Sequence, residues 1–288
     1  MRSCSLLGGT MAAIGVLFAL VNLGKSQDPA NSPKPTLLFY GAGSLRAPIF
    51  EIAVEYQKRT GIRIDPTFGP SGLLRERIEK GERPDIFASA DIDSPRKLAE
   101  QGLGTPVRAF TANAVCVVAP PGLHVDASTL LEVMLDPKVK IGAATPVADP
   151  LGDYTEAIFA KADHLHPGAK KILDDKAIRL VGGRGAPRIP PGQESTAYLL
   201  LMSKQADIML TYCSGAQAAV RAEPKLRVLQ LPASLAVDAS FGYTVIVGSK
   251  PGAADFGRYL ESETAQNVFL NLNYARTECR APDLMRCD

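Results

Sequence analysis

The chain contains no tryptophan, and aromatic residues make up only 6% of it. Surfaces on which nucleobases or sugars could stack are therefore scarce. The net charge is only +2 over 288 residues, and lysine and arginine form no long run. Because proteins that hold a nucleic-acid backbone carry a concentrated basic patch, the sequence predicts no nucleic-acid partner. A hydrophobic content of 46% does predict a sizeable folded core.

Motifs for common catalytic and cofactor chemistry are also missing. The sequence has no Walker motif, no complete dinucleotide-binding fingerprint and no Cys/His spacing typical of zinc. Ser71 in "GPSGLL" lacks the second glycine of a nucleophile elbow, and no histidine is placed to act as its base. We therefore expect no enzyme, no cofactor and no metal held directly by protein side chains. An exported α/β hydrolase that uses Ser71 as its nucleophile is the alternative from a different class.

A long apolar run near the N-terminus predicts export. Arg2 precedes "SLLGGTMAAIGVLFALVNLG", and the next charged residue is Lys25. A basic start, an apolar stretch and small residues around Ser26 are typical of a secretory signal peptide, which we place at residues 1–26 with a linker at 27–35. The alternative is an uncleaved membrane anchor, because the run approaches the ~20 residues that span a bilayer. The signal peptide predicts a periplasmic protein.

Five cysteines suit an exported chain, in which disulfides can form. Cys279 and Cys287 flank "RAPDLMR" near the C-terminus and are predicted to close a small loop as a disulfide. Cys116 in "AVCVVAP" and Cys213 in "LTYCSG" lie in apolar segments, where we expect them to act as small buried hydrophobic residues.

Alternation of apolar strands with helical segments predicts an α/β fold. Between residues 36 and 101 the pattern is β-α-β-α-β-α with short connections, which is the signature of a mostly parallel sheet flanked by helices. The later segments repeat this pattern, with strands that cross between two units near 112–119 and 228–234. The sequence thus predicts lobe 1 at 36–115 and 233–278, lobe 2 at 116–232, and a C-terminal tail at 279–288.

Two serines occupy matching positions, each where a predicted strand runs into a predicted helix. Ser44 ends the turn in "FYGAGSL", and Ser71 lies in "FGPSGLL". Helix N-termini present unpaired N–H groups and a partial positive charge, and glycine allows the backbone to approach a ligand closely. Such turns could cradle an anion, although both serines could equally be ordinary helix caps. Arg75 follows the second turn, where exposure to solvent is the default.

The segments "FYGAGSLRAPIFEIAVEYQKRTGIRI", "FGPSGLLRERIEKGERPDIFASAD" and "ADIMLTYCSGA" resemble the molybdate-binding proteins of bacterial ABC importers, over roughly residues 36–275. The resemblance implies the two-lobed periplasmic-binding-protein fold of type II, with two hinge crossovers and an oxyanion site between the lobes. It implies hydroxyl and backbone N–H donors from Ser44 and Ser71, and a further donor from Tyr212. From the second lobe it implies backbone donors near Tyr154 or Thr155 and near Glu194 or Ser195.

The tungstate-binding relatives in that group use carboxylates to expand the coordination of the metal centre. Here Thr211 stands where those relatives have an acidic residue before the tyrosine, which favours an oxyanion held by hydrogen bonds. Asp153 and Glu194 could then cap their own helices, or they could coordinate the ligand.

We therefore expect a monomeric periplasmic protein that captures molybdate or tungstate and delivers it to the inner-membrane permease of an ABC transporter. Another anion, namely sulfate, phosphate or a small organic acid, is the main alternative within the binding class.

Overall fold

A computed structural model describes residues 34–190, 193 and 195–279 of the chain. These residues belong to one compact unit that begins at Lys34. The predicted signal peptide, the first part of the linker, Glu194 and the predicted tail beyond Cys279 lie outside the described residues.

The described part of the chain alternates strands and helices. The strands are β1 (Thr36–Ala42), β2 (Arg63–Gly69), β3 (Ile86–Ser89), β4 (Arg108–Ala119), β5 (Ile141–Ala144), β6 (Ala177–Val181), β7 (Ile208–Tyr212), β8 (Arg227–Gln230) and β9 (Asp238–Val245). The helices are α1 (Arg46–Thr60), α2 (Ser71–Glu79), α3 (Asp93–Glu100), α4 (Leu130–Leu135), α5 (Pro150–Leu165), α6 (Ala169–Lys176), α7 (Ser195–Ala197), α8 (Cys213–Ala222), α9 (Ala253–Tyr259) and α10 (Glu263–Asn271). A 3-10 turn (Gly43–Leu45) precedes α1, and a π-helical turn (Tyr198–Met202) follows α7.

The strands form one continuous hydrogen-bonded sheet with the order β2-β1-β3-β9-β4-β7-β5-β6, and β8 pairs with β4. Pairing is parallel for β1 with β2 and β3, and for β5 with β6 and β7, whereas β4 and β9 run antiparallel to their neighbours. The predicted α/β class with parallel strands flanked by helices is confirmed. Pro66 lies in β2 at the edge of the sheet, where a strand residue without an N–H is tolerated.

Strand β4 joins two halves of this sheet. Residues 108–114 pair with β9, and residues 115–118 pair with β7. We call β1, β2, β3 and β9 with their helices the first half, and β5, β6, β7 and β8 with theirs the second half. The predicted crossover at 112–119 falls on β4, and the chain returns from the second half between β8 and β9. The exact lobe boundaries stay a prediction.

Helices cover the strands of the first half and bury its core. All four residues of β3 are buried, as expected for a strand covered on both faces. Behind β1 the ring of Phe39 packs edge-on against Phe256, with ring centroids 5.9 Å apart. Helix α1 covers this core with Ile49 and Ile52 and ends at Gly61, whose φ of 75° is the left-handed conformation that glycine favours.

Cys116 and Cys213 form a disulfide, so their predicted role as unlinked hydrophobic residues is wrong. Cys116 lies opposite Thr211 in the β4–β7 pairing, and the chain turns into α8 at Cys213, which brings the two Cα atoms within 4.9 Å. Cys116 and Cys213 are 97 positions apart in the sequence, and this strand pairing is what brings them together. Cys279 is also disulfide-bonded. Its predicted partner, Cys287, lies outside the described residues, so that pairing stays a prediction.

Candidate anion-binding site

A cavity of about 370 Å³ lies where the two halves of the sheet face each other. Both halves contribute to its wall. The first half supplies Ala42, Gly43, Ser44, Ala47, Pro48, Gly69, Ser71, Ala90, Leu272 and Tyr274. The second half supplies Asp149, Leu151, Val181, Ser195, Thr196, Thr211, Tyr212, Ser214, Gly215, Ala218 and Arg221.

The first turns of four helices contribute to this wall. Gly43 and Ser44 form the 3-10 turn that leads into α1, Ser71 is the first residue of α2, and Leu151 is the second residue of α5. Ser214 is the second residue of α8. The first N–H groups of a helix have no partner within it, and the helix dipole makes that end electropositive. Their convergence on one cavity favours a negatively charged ligand.

Two hydroxyl groups at the cavity have no hydrogen-bond partner. The Oγ of Ser44 and the phenolic oxygen of Tyr212 are buried, and no described group bonds to either. Burial raises the pKa of Tyr212 well above its ordinary value, with the charge of Asp149 adding to the effect. The phenol therefore keeps its proton at neutral pH and can donate. An unpaired buried hydroxyl costs about 1–3 kcal/mol, which a ligand oxygen would remove.

Ser71 already accepts one hydrogen bond and still has a proton to give. The N–H of Ala90 donates to its Oγ at 3.2 Å, and the residue is only 1% exposed. A hydroxyl is one donor and two acceptors, so this contact leaves the O–H of Ser71 available to a ligand in the cavity. The structure thus brings Ser44, Ser71 and Tyr212 to one cavity.

Side-chain hydrogen bonds also hold the wall in place. The phenol of Tyr274 donates to the carbonyl of Ser44 at 2.5 Å, which ties α1's entry turn to the segment after α10. The side-chain amide of Asn113 on β4 donates to Oγ of Ser214 at 2.8 Å. Sequence reasoning missed Tyr274 and Ser214, although the Gly/Ser turn in "YCSGA" offered a signal for Ser214.

Tyr154 and Thr155 do not line the cavity. Both lie in the second turn of α5, where the hydroxyl of Thr155 donates to the carbonyl of Leu151 at 2.7 Å. The hydroxyl of Tyr154 donates to the carbonyl of Ala90 at 3.2 Å, in the other half of the molecule. Asp149 caps α5, which starts at Pro150, and the first turn of this helix reaches the cavity instead.

The predicted donor loop before the π-helical turn contributes Ser195, which lines the cavity together with Thr196. Glu194 lies outside the described residues. Sequence reasoning missed Thr196, which carried no distinguishing pattern.

Arg221 is the basic residue of the described cavity wall, and Asp149 is its acidic residue. Arg75, near the second serine, instead has its Nε 3.3 Å from Oε1 of Glu79. Asp153 does not cap its own helix: its Oδ1 accepts from the N–H of Val147 at 2.8 Å, and the side chain lines a neighbouring cavity. Within residues 34–190, 193 and 195–279, His, Cys, Asp and Glu form no cluster that could hold a metal ion.

Direct contacts join the two halves around the cavity. The N–H of Gly72 donates to the carbonyl of Ala148 at 3.0 Å, and Arg184 forms an ion pair with Glu76. Together with the Tyr154 contact, these interactions link α2 and the segment after β3 to the second half of the molecule.

Two α/β halves that share crossover strands and enclose a small polar cavity define a ligand-binding protein. Residues 37–271 match the family of bacterial extracellular solute-binding proteins, and the chain belongs to that family. Since this family consists of solute-binding proteins, the expectation that the chain is not an enzyme is confirmed, and the hydrolase alternative is excluded.

Curated relatives include proteins with an assigned ligand. An uncharacterized protein, PM1146, of Pasteurella multocida is 35% identical over 204 residues, which cover 69% of this chain and 83% of the relative. The molybdate-binding protein ModA of Azotobacter vinelandii is 25% identical over 177 residues, which cover 60% of this chain and 68% of the relative. The predicted resemblance to molybdate-binding proteins is confirmed.

Solved structures share the fold. The periplasmic molybdate-binding protein of Azotobacter vinelandii superposes with a TM-score of 0.67 at 18% identity, covering 84% of this chain and 100% of that chain. The substrate-binding domain of a putative molybdenum ABC transporter from Clostridium difficile gives 0.60 at 22% identity, covering 85% and 100%. The predicted periplasmic-binding-protein fold is therefore confirmed. Among the described helices, none combines the length and the apolar character needed to cross a membrane.

Proposed function

We propose that this protein captures molybdate or tungstate in the cavity and delivers the ion to the inner-membrane permease of an ABC importer. The ligand is a tetrahedral oxyanion held by hydrogen bonds rather than by a protein–metal bond. The protein works in the periplasm as a monomer, after removal of the N-terminal signal peptide.

The unpaired hydroxyl groups of Ser44 and Tyr212 carry this proposal. They belong to different halves of the molecule and are buried at the same cavity, so one small ligand with several acceptor oxygens satisfies both. Ser71 adds a third hydroxyl, and the first turns of α1, α2, α5 and α8 add the electropositive ends of their dipoles.

Neutral donors are sufficient to hold a dianion. A hydrogen bond to a charged group contributes about 1.5–3 kcal/mol, a net value that already accounts for the lost hydrogen bonds to water. Several such bonds together are therefore enough for strong binding. Fixed hydroxyl and N–H positions select an anion by its size, because a smaller tetrahedral ion reaches fewer donors at once. Molybdate and tungstate are larger than sulfate at the same charge, so they fit a wider set of donors.

Relatives support this ligand class. ModA proteins of several bacteria are named for molybdate binding, and they match more than half of this chain or close to it. The putative ABC transporter substrate-binding lipoprotein YvgL of Bacillus subtilis is 26% identical over 175 residues, which supports the permease as partner.

The test is titration calorimetry of the exported chain with molybdate, tungstate, sulfate and phosphate, each over the same concentration range. We expect saturable 1:1 binding of molybdate and tungstate that is at least about tenfold tighter than that of sulfate. Equal or tighter binding of sulfate or phosphate would reassign the ligand, and failure of all four anions to bind would refute an oxyanion site. N-terminal sequencing of protein from the periplasmic fraction checks the signal peptide.

A further inference from the structure

The cavity wall contains a carboxylic acid that an anion site does not require. Asp149 lines the cavity between the end of β5 and the start of α5, alongside the helix dipoles and hydroxyl donors already described. A carboxylate there would repel a dianion at short range, in a place where burial weakens screening by water. Its presence in the wall therefore needs a chemical explanation.

The carboxyl group is held rigidly and has no cation beside it. Its Oδ1 accepts from the N–H of Leu151 at 3.0 Å, the usual contact of a helix cap. At Gly182, a Cβ atom would lie 2.5 Å from Oδ2, so the end of β6 packs directly against this oxygen. Among the described residues, Asp149 makes no ion pair, and Oδ2 accepts no hydrogen bond.

The ionisable groups around Asp149 favour its neutral form. Asp153 on α5 and Asp91 after β3 add negative charge, while Tyr212 on β7 is a neutral phenol. Arg221 on α8 is a wall residue that is exposed to solvent, and Arg184, two residues after Gly182, forms an ion pair with Glu76. Neither of these two described arginines forms an ion pair with Asp149.

We propose that Asp149 carries a proton when the oxyanion is bound, so that the site takes up one proton from solvent with each dianion. The protonated carboxyl then donates its O–H to an oxygen of the ligand, which turns a repulsive charge into a further hydrogen-bond donor. This inference rests on the proposed oxyanion function and adds a residue that sets how binding depends on pH.

In the ligand-free protein, the pKa of Asp149 is already raised towards neutral pH. Burial raises the pKa of Asp149 to about 6, with the nearby carboxylates adding to the effect and the N–H of Leu151 opposing it. Above that pH the proton must be taken up when the ligand binds. For one linked proton, affinity then falls about tenfold for each pH unit.

The experiment measures proton uptake directly. Molybdate is titrated by calorimetry at pH 7.5 in Tris and in MOPS, which absorb different amounts of heat on giving up a proton, so the difference between the two binding heats counts the protons taken up. We expect about one proton for the unmodified chain and none for Asp149→Asn, whose affinity should also be constant between pH 6.5 and 8.5. Asparagine is as good a helix cap as aspartate, so α5 keeps its start. Asp149→Ser, another good cap without a carboxyl group, serves as the second variant.

The outcomes separate the two proposals. Binding of molybdate without proton uptake by the unmodified chain, or uptake that persists in Asp149→Asn, overturns the role of Asp149 and leaves the oxyanion function intact. Loss of molybdate binding in a folded Asp149→Asn also overturns it, because the asparagine amide supplies what the proposal requires there, namely a neutral side chain with a hydrogen-bond donor. If the unmodified chain binds none of molybdate, tungstate, sulfate and phosphate, both proposals fail.

Discussion

The N–H of Gly72, in the first turn of α2, donates to the carbonyl of Ala148, in the other half of the molecule, at 3.0 Å. A Cβ atom at Gly72 would lie 2.0 Å from the carbonyl oxygen of Val147, so the two backbones meet at a distance that only glycine permits. Val147 has a φ of 66°, which is unusual for a β-branched residue. Its N–H donates a hydrogen bond to the carboxylate of Asp153. The Val147–Ala148 segment therefore has little freedom to move aside.

Gly72→Ala should weaken ligand binding by hindering closure of the two halves. Overpacking by one methyl group typically costs about 1–3 kcal/mol, which corresponds to a roughly 5- to 150-fold loss of molybdate affinity by calorimetry. Helix α2 itself should not be weakened, because alanine favours a helix more than glycine does. Gly185→Ala is the control, since a Cβ there meets nothing within 4 Å. Unchanged affinity in Gly72→Ala would show that closure does not use this contact.

Ser44→Ala and Tyr212→Phe should separate binding from stability. Each removes a buried hydroxyl without a partner, so the free energy of unfolding of the ligand-free chain should stay the same or rise. Molybdate affinity should fall by about 1.5–3 kcal/mol in each variant. Tyr259→Phe is a matched control, because its hydroxyl is likewise buried without a partner but lies outside the cavity wall.

Ser71→Ala should behave differently from those variants. Its Oγ accepts the N–H of Ala90, and removal leaves a buried donor unpaired. We expect a loss of about 1–3 kcal/mol in the free energy of unfolding as well as weaker binding. Denaturant unfolding without ligand checks this, and equal stability of Ser71→Ala and Ser44→Ala would contradict it.

The disulfide between Cys116 and Cys213 should contribute strongly to stability. It closes a loop of about 100 residues, for which chain entropy gives about 4.7 kcal/mol. The double variant Cys116→Ala/Cys213→Ala should lose stability of that order in denaturant unfolding without reductant. Alkylation of the denatured, unreduced chain should leave both cysteines and Cys279 unlabelled, and peptide mapping then tests whether Cys287 is the partner of Cys279. Labelled Cys116 or Cys213 would contradict the structure.

The contribution of Asp149 to the free energy of unfolding of the ligand-free protein should be less favourable at neutral pH than in acid. Its pKa rises from 3.8 in the unfolded chain to about 6 in the folded one, so the folded state binds the proton more tightly. The cost is absent below pH 3.8, grows as pH rises towards 6 and is then constant, at up to about 3 kcal/mol. Relative to the unmodified chain, Asp149→Asn should gain stability over that interval.

Asp126→Asn provides a control of opposite sign. Hydrogen bonds from Ser128 and Thr129 lower the pKa of Asp126, so its carboxylate stabilises the folded state above the unfolded pKa. This variant should therefore lose stability relative to the unmodified chain as pH rises. Denaturant unfolding between pH 3.5 and 7 measures both variants, and a flat difference for Asp149→Asn would refute a raised pKa.

Local patterns in the sequence determined the fold class and part of the site. The alternation of apolar strands with periodic helices can be recognised from short runs of consecutive residues. The same is true of the turns that place Ser44 and Ser71 at helix starts. The order of these segments was enough to identify the family, because the glycine and serine turns lie at fixed positions along the chain.

Tertiary structure alone decided which distant residues meet. Cys116 pairs with Cys213, and Asn113 contacts Ser214, only because β4 lies beside β7 in the sheet. The start of α5 illustrates the same limit: an Asp-Pro pair is a known helix start, but only the packed fold shows that it turns Asp149 into the cavity while Tyr154 reaches Ala90. Such contacts depend on strand pairing and helix packing over long sequence separations, and no pattern of neighbouring residues encodes them.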